Sequence, residues 1–354
     1  MFKLSDDLRQ KRDLVQTCLR GYAAFKESGQ TPVAAYHAFR QLYVQTNGMF
    51  NDIFQYFYGR KNPTNPTVPL QRSLFKNLKA SDIKGAVQHL DRDGYYVFPQ
   101  LVPSEVVDEL MRFSLKTPAT TQSQYEAAEE PDAMFVPDNI SSTNYRFLAK
   151  DVINNFAAQA LMADPALLSI AQQYFRSQAM YCNVHMWWTT PFGCSEPSSS
   201  LAQLFHFDMD RIKFLNFFIY LTDVDTNSGP HCYVRTSHRR KPQAFLQDRR
   251  FQDAEIAQHY RKDDVVEING PKGTLIAVDG RGFHKAKMPT AGNRLIFLSS
   301  MSSSLFGQTY PREPLEVKEA NLKDAISLDP RLCSAYDVSY QNSEKRIRTL
   351  AAIP

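Results

Sequence analysis

The sequence predicts a mainly β protein with additional helices: a double-stranded β-helix, or jelly roll, with flanking helices and an N-terminal helical extension. Short strand-like runs separated by glycine- and proline-containing turns dominate from residue 179 to about residue 303, which is typical of a two-sheet jelly roll. Residues 3–60 instead show the spacing of amphipathic helices. Between the two patterns, Pro63, Pro66 and Pro69 predict an extended linker.

Three helices are predicted before this linker. Apolar residues recur at helical spacing after Ser5, a suitable N-cap, and Gly29 ends the first helix. A second helix is predicted from Pro32 to about Val44, and an aromatic-rich third helix from Met49 to Tyr58. They form an extension that the minimal jelly roll does not need, so we expect self-association or docking to a partner through residues 1–60.

From residue 81 onward, helices and strands alternate before the strands take over. The predicted helices are Ile83–Arg92, Pro103–Ser114, Asp151–Ala163 and Pro165–Phe175. The predicted strands are Tyr95–Phe98, Met180–Trp188, Lys213–Leu221, His231–Arg235, Gly273–Val278 and the run that follows Arg294.

These patterns predict three regions. Residues 1–80 form the helical extension with its linker, residues 81–305 the jelly-roll domain, and residues 306–354 a C-terminal extension that we cannot assign from its pattern. A polar stretch inside the second region is predicted to be a solvated loop or a lid. Its acidic residues are Glu126, Glu129, Glu130 and Asp132.

Composition limits the kinds of partner that we expect for this chain. Hydrophobic residues make up 43% and charged residues 22% of the 354 residues, as in globular proteins. The formal net charge of +4 is small and the basic residues are not clustered, so we expect no nucleic-acid partner. No window approaches 18 uncharged apolar residues, and the charged N-terminus lacks the apolar segment of a secretory signal, so we expect no membrane span and no export.

Cysteine usage predicts a reducing compartment. The chain has 5 cysteines, an odd number, and none forms a Cys-x-x-Cys pair. Free thiols are therefore favoured over a disulfide framework or a zinc site, and we expect a cytoplasmic protein.

A candidate metal site begins with His206-Phe207-Asp208, which precedes a strand-like run. Residues i and i+2 of an extended chain point to the same side, so one imidazole and one carboxylate can meet at a point. His284, which follows its own apolar run, would complete a set of two histidines and one carboxylate. Such a set binds non-haem Fe(II) and leaves coordination positions open. Arg294, ten residues farther on, suits the distal carboxylate of a chelating cosubstrate such as 2-oxoglutarate.

Together these features resemble the phytanoyl-CoA dioxygenase family of Fe(II)- and 2-oxoglutarate-dependent oxygenases, over roughly residues 83–303. The resemblance is carried in order by residues 89–98 and 101–107, by His206-Phe207-Asp208, by residues 220–225 with Gly229-Pro230 and Ser237-His238, and by His284 with Arg294. It implies a cupin-like jelly roll and an enzyme that uses Fe(II), 2-oxoglutarate and O2. Such an enzyme hydroxylates or desaturates a small-molecule or carrier-linked substrate and releases succinate and CO2.

Two positions of the site can be compared with the family. Halogenases of the family lack the metal-binding carboxylate, so the presence of Asp208 favours hydroxylation over halogenation. Many relatives carry a small hydroxyl residue two positions after the second histidine, where it helps to hold 2-oxoglutarate. Ala286 stands there in this chain, so another donor must substitute or the cosubstrate is held differently.

Two alternatives remain open from the sequence. A cupin-type metal enzyme that does not use 2-oxoglutarate would keep the same three ligands but would not need Arg294. A non-catalytic binding module would keep the fold without turnover, although the intact set of ligands speaks against it.

The strand Met180–Trp188 is predicted to line the pocket with one face. Alternation places Tyr181, Asn183, His185 and Trp187 on that face. In relatives this strand faces the cosubstrate and the substrate, which implies that Tyr181 and Asn183 lie near 2-oxoglutarate and that His185 and Trp187 lie near the substrate.

An anionic substrate is a further expectation. Between Arg281 and Arg294 the chain has four basic residues and no acidic residue. Lys287 is the candidate substrate-binding residue among them. A solvated basic loop is the alternative.

Overall fold

The structure is a computed structural model that describes residues 2–122 and 133–340, and side chains from residue 7 onward. The predicted acidic loop or lid at residues 126–132 lies outside these ranges. Across the described residues, no helix combines the length and the apolar character that a bilayer crossing requires.

Ten α-helices lie in the described ranges. They are α1 (Phe2–Ser28), α2 (Val33–Thr46), α3 (Met49–Lys61), α4 (Ala80–Asp93), α5 (Ser104–Lys116), α6 (Ala149–Ile153), α7 (Phe156–Met162), α8 (Pro165–Phe175), α9 (Asp253–Ala257) and α10 (Ala320–Leu328). The helical N-terminal region is confirmed. The helix predicted over 151–163 is instead split, because the Asn155 side chain accepts hydrogen bonds from the amides of Ala157 and Ala158 and so begins a new helix.

The described strands form three sheets. They are β1 (Tyr95–Phe98), β2 (Thr120–Gln122), β3 (Asn144–Arg146), β4 (Met180–Thr189), β5 (Phe214–Tyr220), β6 (His231–Val234), β7 (Val265–Ile268), β8 (Leu275–Val278), β9 (His284–Ala286), β10 (Arg294–Ser302), β11 (Pro314–Val317) and β12 (Asp337–Tyr340). The main sheet has the order β1-β8-β5-β10-β4-β3-β2, and a smaller sheet has the order β7-β6-β9.

The two larger sheets confirm the jelly-roll prediction. Alternation along β10 sends Leu295 and Phe297 into a large core shared with the helices, and sends Ile296 into a second core. That second core also contains Tyr233 of β6 and Ile268 of β7, so it lies between the main sheet and the smaller one. One face of the main sheet is thus covered by helices, and the other encloses the space in which the candidate site lies.

The N-terminal helices pack against the jelly roll. Phe39 of α2 and Phe54 of α3 contact Phe306, and these residues share a buried cluster with Ile212. The Asn51 side chain of α3 donates a hydrogen bond to the Ile212 carbonyl at 3.1 Å. The extension and the jelly roll therefore share buried surface.

Residues 306–340 of the C-terminal region, which its pattern left unassigned, also join the main core. β11 and β12 pair in parallel, and α10 lies between them in sequence. Leu315, Leu322 and Tyr336 are buried in the same core as the helices behind the main sheet. This region thus completes the helical layer.

Candidate metal centre

Backbone pairing brings the two histidines together, although they are 78 positions apart. The amide of His206 donates to the carbonyl of His284 at 3.0 Å, and the amide of His284 donates back to His206 at 2.9 Å. Two residues later, the amide of Asp208 donates to the Gly280 carbonyl at 2.8 Å. A Cβ atom at Gly280 would lie 3.0 Å from a carboxylate oxygen of Asp208 and 2.7 Å from Phe214, so this approach requires glycine.

The side chains of His206, Asp208 and His284 converge on one point. One potential ligand atom from each lies within 4.8 Å of the others, and no other His, Cys, Asp or Glu of the described chain joins the group. The Nε2 atom of His206 is 3.7 Å from one carboxylate oxygen of Asp208, and Nε2 of His284 is 3.4 Å from the other. We call these three residues the triad.

Hydrogen bonds at the far side of each imidazole orient the triad. Nδ1 of His206 lies 3.0 Å from the Leu204 carbonyl, and Nδ1 of His284 lies 3.0 Å from the Gly282 carbonyl. Because a carbonyl only accepts, Nδ1 carries the proton in both rings. The lone pair is then on Nε2, which faces Asp208, as a metal ligand requires.

Burial and the charges within the triad set the ionisation of its three side chains. Burial, reinforced by the nearby His284, lowers the pKa of His206 to about 3, so this ring is neutral. Burial alone would raise the pKa of Asp208, but His284 and His206 lower it to about 2. Burial would likewise lower the pKa of His284, but Asp208 raises it above the ordinary value. Two imidazole nitrogens and one carboxylate oxygen are a donor set that suits Fe(II).

The triad opens into a cavity of about 220 Å³ between the sheets. Its walls combine polar and apolar groups, as small-molecule sites do. Besides the triad, the lining includes Trp187, Phe218, His231, Ala286, Arg294 and Ile296.

Arg294 is a buried cation in the lining of this cavity. Its residue is 2% exposed, and Nη2 reaches only Thr189 Oγ1, at 3.5 Å. The Nε and Nη1 atoms are buried and find no hydrogen-bond partner among the described residues. Burial lowers the pKa of Arg294 from its ordinary value. A buried guanidinium without a counter-charge is costly, so this side chain fits a bound carboxylate.

Comparison with known families agrees with this geometry. The model of the phytanoyl-CoA dioxygenase family matches residues 90–294, which is more than half of the chain. The chain belongs to the phytanoyl-CoA dioxygenase family. Membership confirms the predicted enzyme class and its cofactors, Fe(II), 2-oxoglutarate and O2.

Solved structures similar to this chain share little sequence with it. The non-heme α-ketoglutarate-dependent epimerase SnoN from nogalamycin biosynthesis is 13% identical, with 63% of this chain and 84% of that chain covered and a TM-score of 0.42. HygX from Streptomyces hygroscopicus, with nickel and 2-oxoglutarate bound, is 15% identical, with 70% and 94% covered and a TM-score of 0.42. No curated protein sequence matches the chain.

In this member of the phytanoyl-CoA dioxygenase family, the side chains of strand β4 do not alternate regularly. The placement predicted for Tyr181 is wrong for that reason. The β4–β10 register shifts so that Ser300 pairs with Asn183 while Met301 pairs with Tyr181, which leaves Cys182 as the extra residue of a bulge. Tyr181 therefore points into the core behind the sheet, where its hydroxyl donates to the Met162 carbonyl at 2.8 Å. It is not available to 2-oxoglutarate.

The order of the other β4 residues along the site also differs from the prediction. Because β4 and β10 are antiparallel, Trp187 pairs with Ile296, two residues from Arg294, while Asn183 pairs with Ser300 at the other end. Trp187 lines the cavity of the triad. Asn183 lines a second cavity of about 160 Å³ that shares Asp208 with the first.

His185 lies between Asn183 and Trp187 on the same face of β4. Burial, reinforced by Arg146, lowers the pKa of His185 to about 4, so the ring is neutral. The role of His185 toward a substrate stays a prediction.

The basic loop is not a free cationic surface. Arg281 pairs with Asp279 at 2.8 Å, and Lys285 is held by a salt bridge to Asp253. Lys287 contacts Glu267 and Thr226, each at 2.7 Å, and does not line the cavity of the triad. The structure thus does not place Lys287 in the cavity, because Glu267, which is 20 residues away in sequence, holds its ammonium group.

Two further residues line the cavity that were not among the predicted site residues. His231, which follows the Gly-Pro turn, could have been a partly exposed strand residue or an edge of the site, and it is 4% exposed. Arg146 lies at the cavity with its guanidinium 5.9 Å from the Trp187 ring centroid. The Gly-Pro turn before His231 gave a signal for the strand, whereas nothing in the sequence around Arg146 pointed to the site.

Proposed function

We propose that the chain is an Fe(II)- and 2-oxoglutarate-dependent dioxygenase that hydroxylates or desaturates a small molecule and releases succinate and CO2. One observation carries the proposal. The triad and an unpaired, buried Arg294 line the same cavity. A metal enzyme that did not use a dicarboxylate would have no reason to bury a cation there.

Each residue has a defined role in this proposal. His206 and His284 present their Nε2 atoms to Fe(II), and Asp208 presents a carboxylate oxygen. Arg294 binds the distal carboxylate of 2-oxoglutarate and so fixes the orientation of the keto acid toward the triad. When bound, Fe(II) and 2-oxoglutarate supply the oxidative chemistry, while the walls of the cavity position the substrate and exclude water.

Anaerobic titration tests the proposal directly. Adding 2-oxoglutarate to the Fe(II) protein should produce the weak visible charge-transfer band of the chelate, and oxygen should then release succinate. His206→Ala and His284→Ala should lose both iron binding and succinate formation. His259→Ala, which changes an exposed histidine far along the chain from the triad, is the matched control.

The same experiment separates the alternatives. Iron binding without a 2-oxoglutarate band would favour the cupin-type enzyme that does not use this cosubstrate. A band that forms normally but never yields succinate on oxygenation would favour a binding module. Full activity in either histidine variant would refute the triad.

For the substrate, we infer that it binds on the Asp208 side of the triad, opposite Arg294. The second cavity extends there, and it is lined by polar side chains that include Asn183, Asp210 and Tyr310. Asn183 has a buried Oδ1 atom that no described residue satisfies. Screening metabolites for those that stimulate 2-oxoglutarate turnover tests this placement. Asn183→Leu should lower the turnover that a productive substrate stimulates, and only that turnover.

An anionic or carrier-linked substrate stays a prediction. Its support now rests on Arg146 at the cavity rather than on the basic loop. Salt screens the attraction between exposed charges and a substrate. If high salt leaves the substrate concentration for half-maximal turnover unchanged, steering by exposed charge is excluded.

A further inference from the structure

His231 is a buried imidazole in the wall of the cavity, on the sheet opposite Arg294. It begins β6, and its ring lies nearly parallel to that of His284, with 5.6 Å between centroids and 24° between planes. On its other side the ring is 4.7 Å from Phe218. These two contacts fix the ring in one orientation.

The ring of His231 lacks a polar partner that its burial requires. Its backbone amide donates to the Tyr220 hydroxyl at 3.0 Å, so the main chain is satisfied. The Nε2 atom is buried and has no hydrogen-bond partner within residues 2–122 and 133–340. Buried polar atoms are nearly always paired, which indicates that a ligand supplies the partner.

The position of His231 identifies which ligand this is. His231 lines the same cavity as the triad and Arg294, so a molecule held between them lies within the wall to which His231 belongs. The ring packs against the apolar ring of Phe218 at a centroid distance of 4.7 Å. Ala286 is the direct partner of His231 in the β6–β9 register, and its methyl group donates no hydrogen bond.

His231 is not a fourth metal ligand. The cluster of potential ligand atoms within 4.8 Å of one another contains the triad alone among the described residues. His231 lies beside the triad but outside its cluster of ligand atoms. It is therefore placed to contact a molecule that is bound between the metal and Arg294.

We propose that His231 is a binding residue for 2-oxoglutarate and donates a hydrogen bond from Nε2 to the carboxylate that Arg294 pairs with. This inference rests on the proposed function. The donor exists in either charge state of the ring, because a neutral imidazole can carry its proton on Nε2. His231 on β6 thus supplies the hydrogen bond that Ala286, its partner on β9, cannot donate.

Titration of the Fe(II) protein with 2-oxoglutarate under anaerobic conditions tests the role through the visible band. His231→Leu should weaken 2-oxoglutarate about tenfold or more, as expected for a lost hydrogen bond to a charged group, while Fe(II) affinity stays unchanged. His231→Gln keeps an N–H donor at a similar reach and should remain within about threefold of the original affinity. If His231→Leu does not fold, His231→Phe keeps the aromatic contact with Phe218 and replaces it.

A second-site variant makes the test specific. Adding Ala286→Ser to His231→Leu places a hydroxyl donor at the paired position and should recover most of the lost affinity. His231→Leu combined with Arg294→Ala should lose less than the product of the two single effects, because both groups bind one carboxylate.

Two results would overturn the inference and leave the proposed function standing. One is an unchanged 2-oxoglutarate affinity in His231→Leu while Arg294→Ala is weakened. The other is a loss of Fe(II) affinity in His231→Leu that Ala286→Ser does not repair. Absence of the visible band in the unaltered protein would instead refute the proposed function itself.

Discussion

At the scale of single residues, the unpaired guanidinium of Arg294 makes the sharpest prediction. A lost charge-assisted contact costs about 1.5–3 kcal/mol, or roughly ten- to a hundredfold in affinity. Arg294→Ala should therefore raise the 2-oxoglutarate concentration required for half-maximal succinate formation by that factor. Fe(II) should still bind, because Arg294 contributes no atom to the triad.

Lys287→Ala is the matched control for that measurement. Lys287 is a cation of the same segment, but it pairs with Glu267 in a partly exposed salt bridge. Such pairs contribute little, so the 2-oxoglutarate requirement should not change. A larger effect at Lys287 than at Arg294 would move the carboxylate-binding role to the basic loop.

At the scale of elements, the turn between β8 and β9 is held by a buried ion pair. Asp279 and Arg281 are almost completely buried, and Tyr174 donates a hydrogen bond to the same carboxylate at 2.5 Å. Burial would raise the pKa of Asp279, but Arg281 holds it well below its ordinary value. This pair fixes the turn that leads directly into His284.

Asp279→Asn should destabilise the protein by about 3–5 kcal/mol, because it leaves the Arg281 charge buried without its main partner. Asp52 of α3 also pairs with Arg281, at 3.0 Å, but its side chain is 55% exposed. Asp52→Asn is therefore the control, with an expected cost of about 0–1 kcal/mol. Urea unfolding measures both free energies. The Asp279→Asn deficit should shrink as the pH falls below the ordinary pKa of an aspartate, because the unfolded chain then binds a proton that the native carboxylate, with its lowered pKa, does not. Equal costs for the two variants would contradict the assignment.

The bulge in β4 makes a prediction of its own. Tyr181→Phe removes one buried hydrogen bond, to the Met162 carbonyl, and should cost about 1–3 kcal/mol of stability. Because Tyr181 faces away from the cavity, the 2-oxoglutarate requirement should stay the same. A raised requirement with unchanged stability would restore the placement that simple alternation predicts.

At the scale of the whole molecule, the N-terminal helices and the jelly roll share a core, so we expect one cooperative unfolding transition. Phe306→Ala should cost about 3–5 kcal/mol, because its ring contacts Phe54 of α3 and Phe39 of α2. Phe57→Ala changes a ring of α3 that is 61% exposed and should alter stability by less than about 0.5 kcal/mol. Far-UV and near-UV signals that separate into two transitions in the unaltered protein would show that the extension folds independently.

Self-association or docking through residues 1–60 stays a prediction. The exposed apolar residues of α3 recur on one side of the helix, which is where such contacts would be tested. They are Met49, Ile53, Tyr56 and Phe57. Sedimentation of the unaltered protein and of a Tyr56→Ser, Phe57→Ser variant over a range of concentrations would measure it.

Much of the fold followed from local pattern. Strand-like runs with intervening turns predicted β5, β8 and β10, and helical spacing predicted α1 to α3, because these signals depend only on neighbours in the chain. The N-cap predicted at Ser5 is wrong, since α1 already begins at Phe2. The bulge at Cys182 could not be predicted in this way. It depends on how β4 pairs with β10, and a shift of one residue reverses every side chain beyond it.

The sequence by itself determined the chemistry that this protein can carry. A histidine, a carboxylate, a second histidine and a later arginine, in that order, define the donor set and the cation. Tertiary structure alone decided which cations remain unpaired and which polar atoms lack a partner. Lys287 is neutralised by Glu267, whereas Arg294 and His231 are left facing the cavity. The physical reason is that electrostatic pairing and burial depend on distances between segments far apart in the chain, and only packing of the two sheets sets those distances.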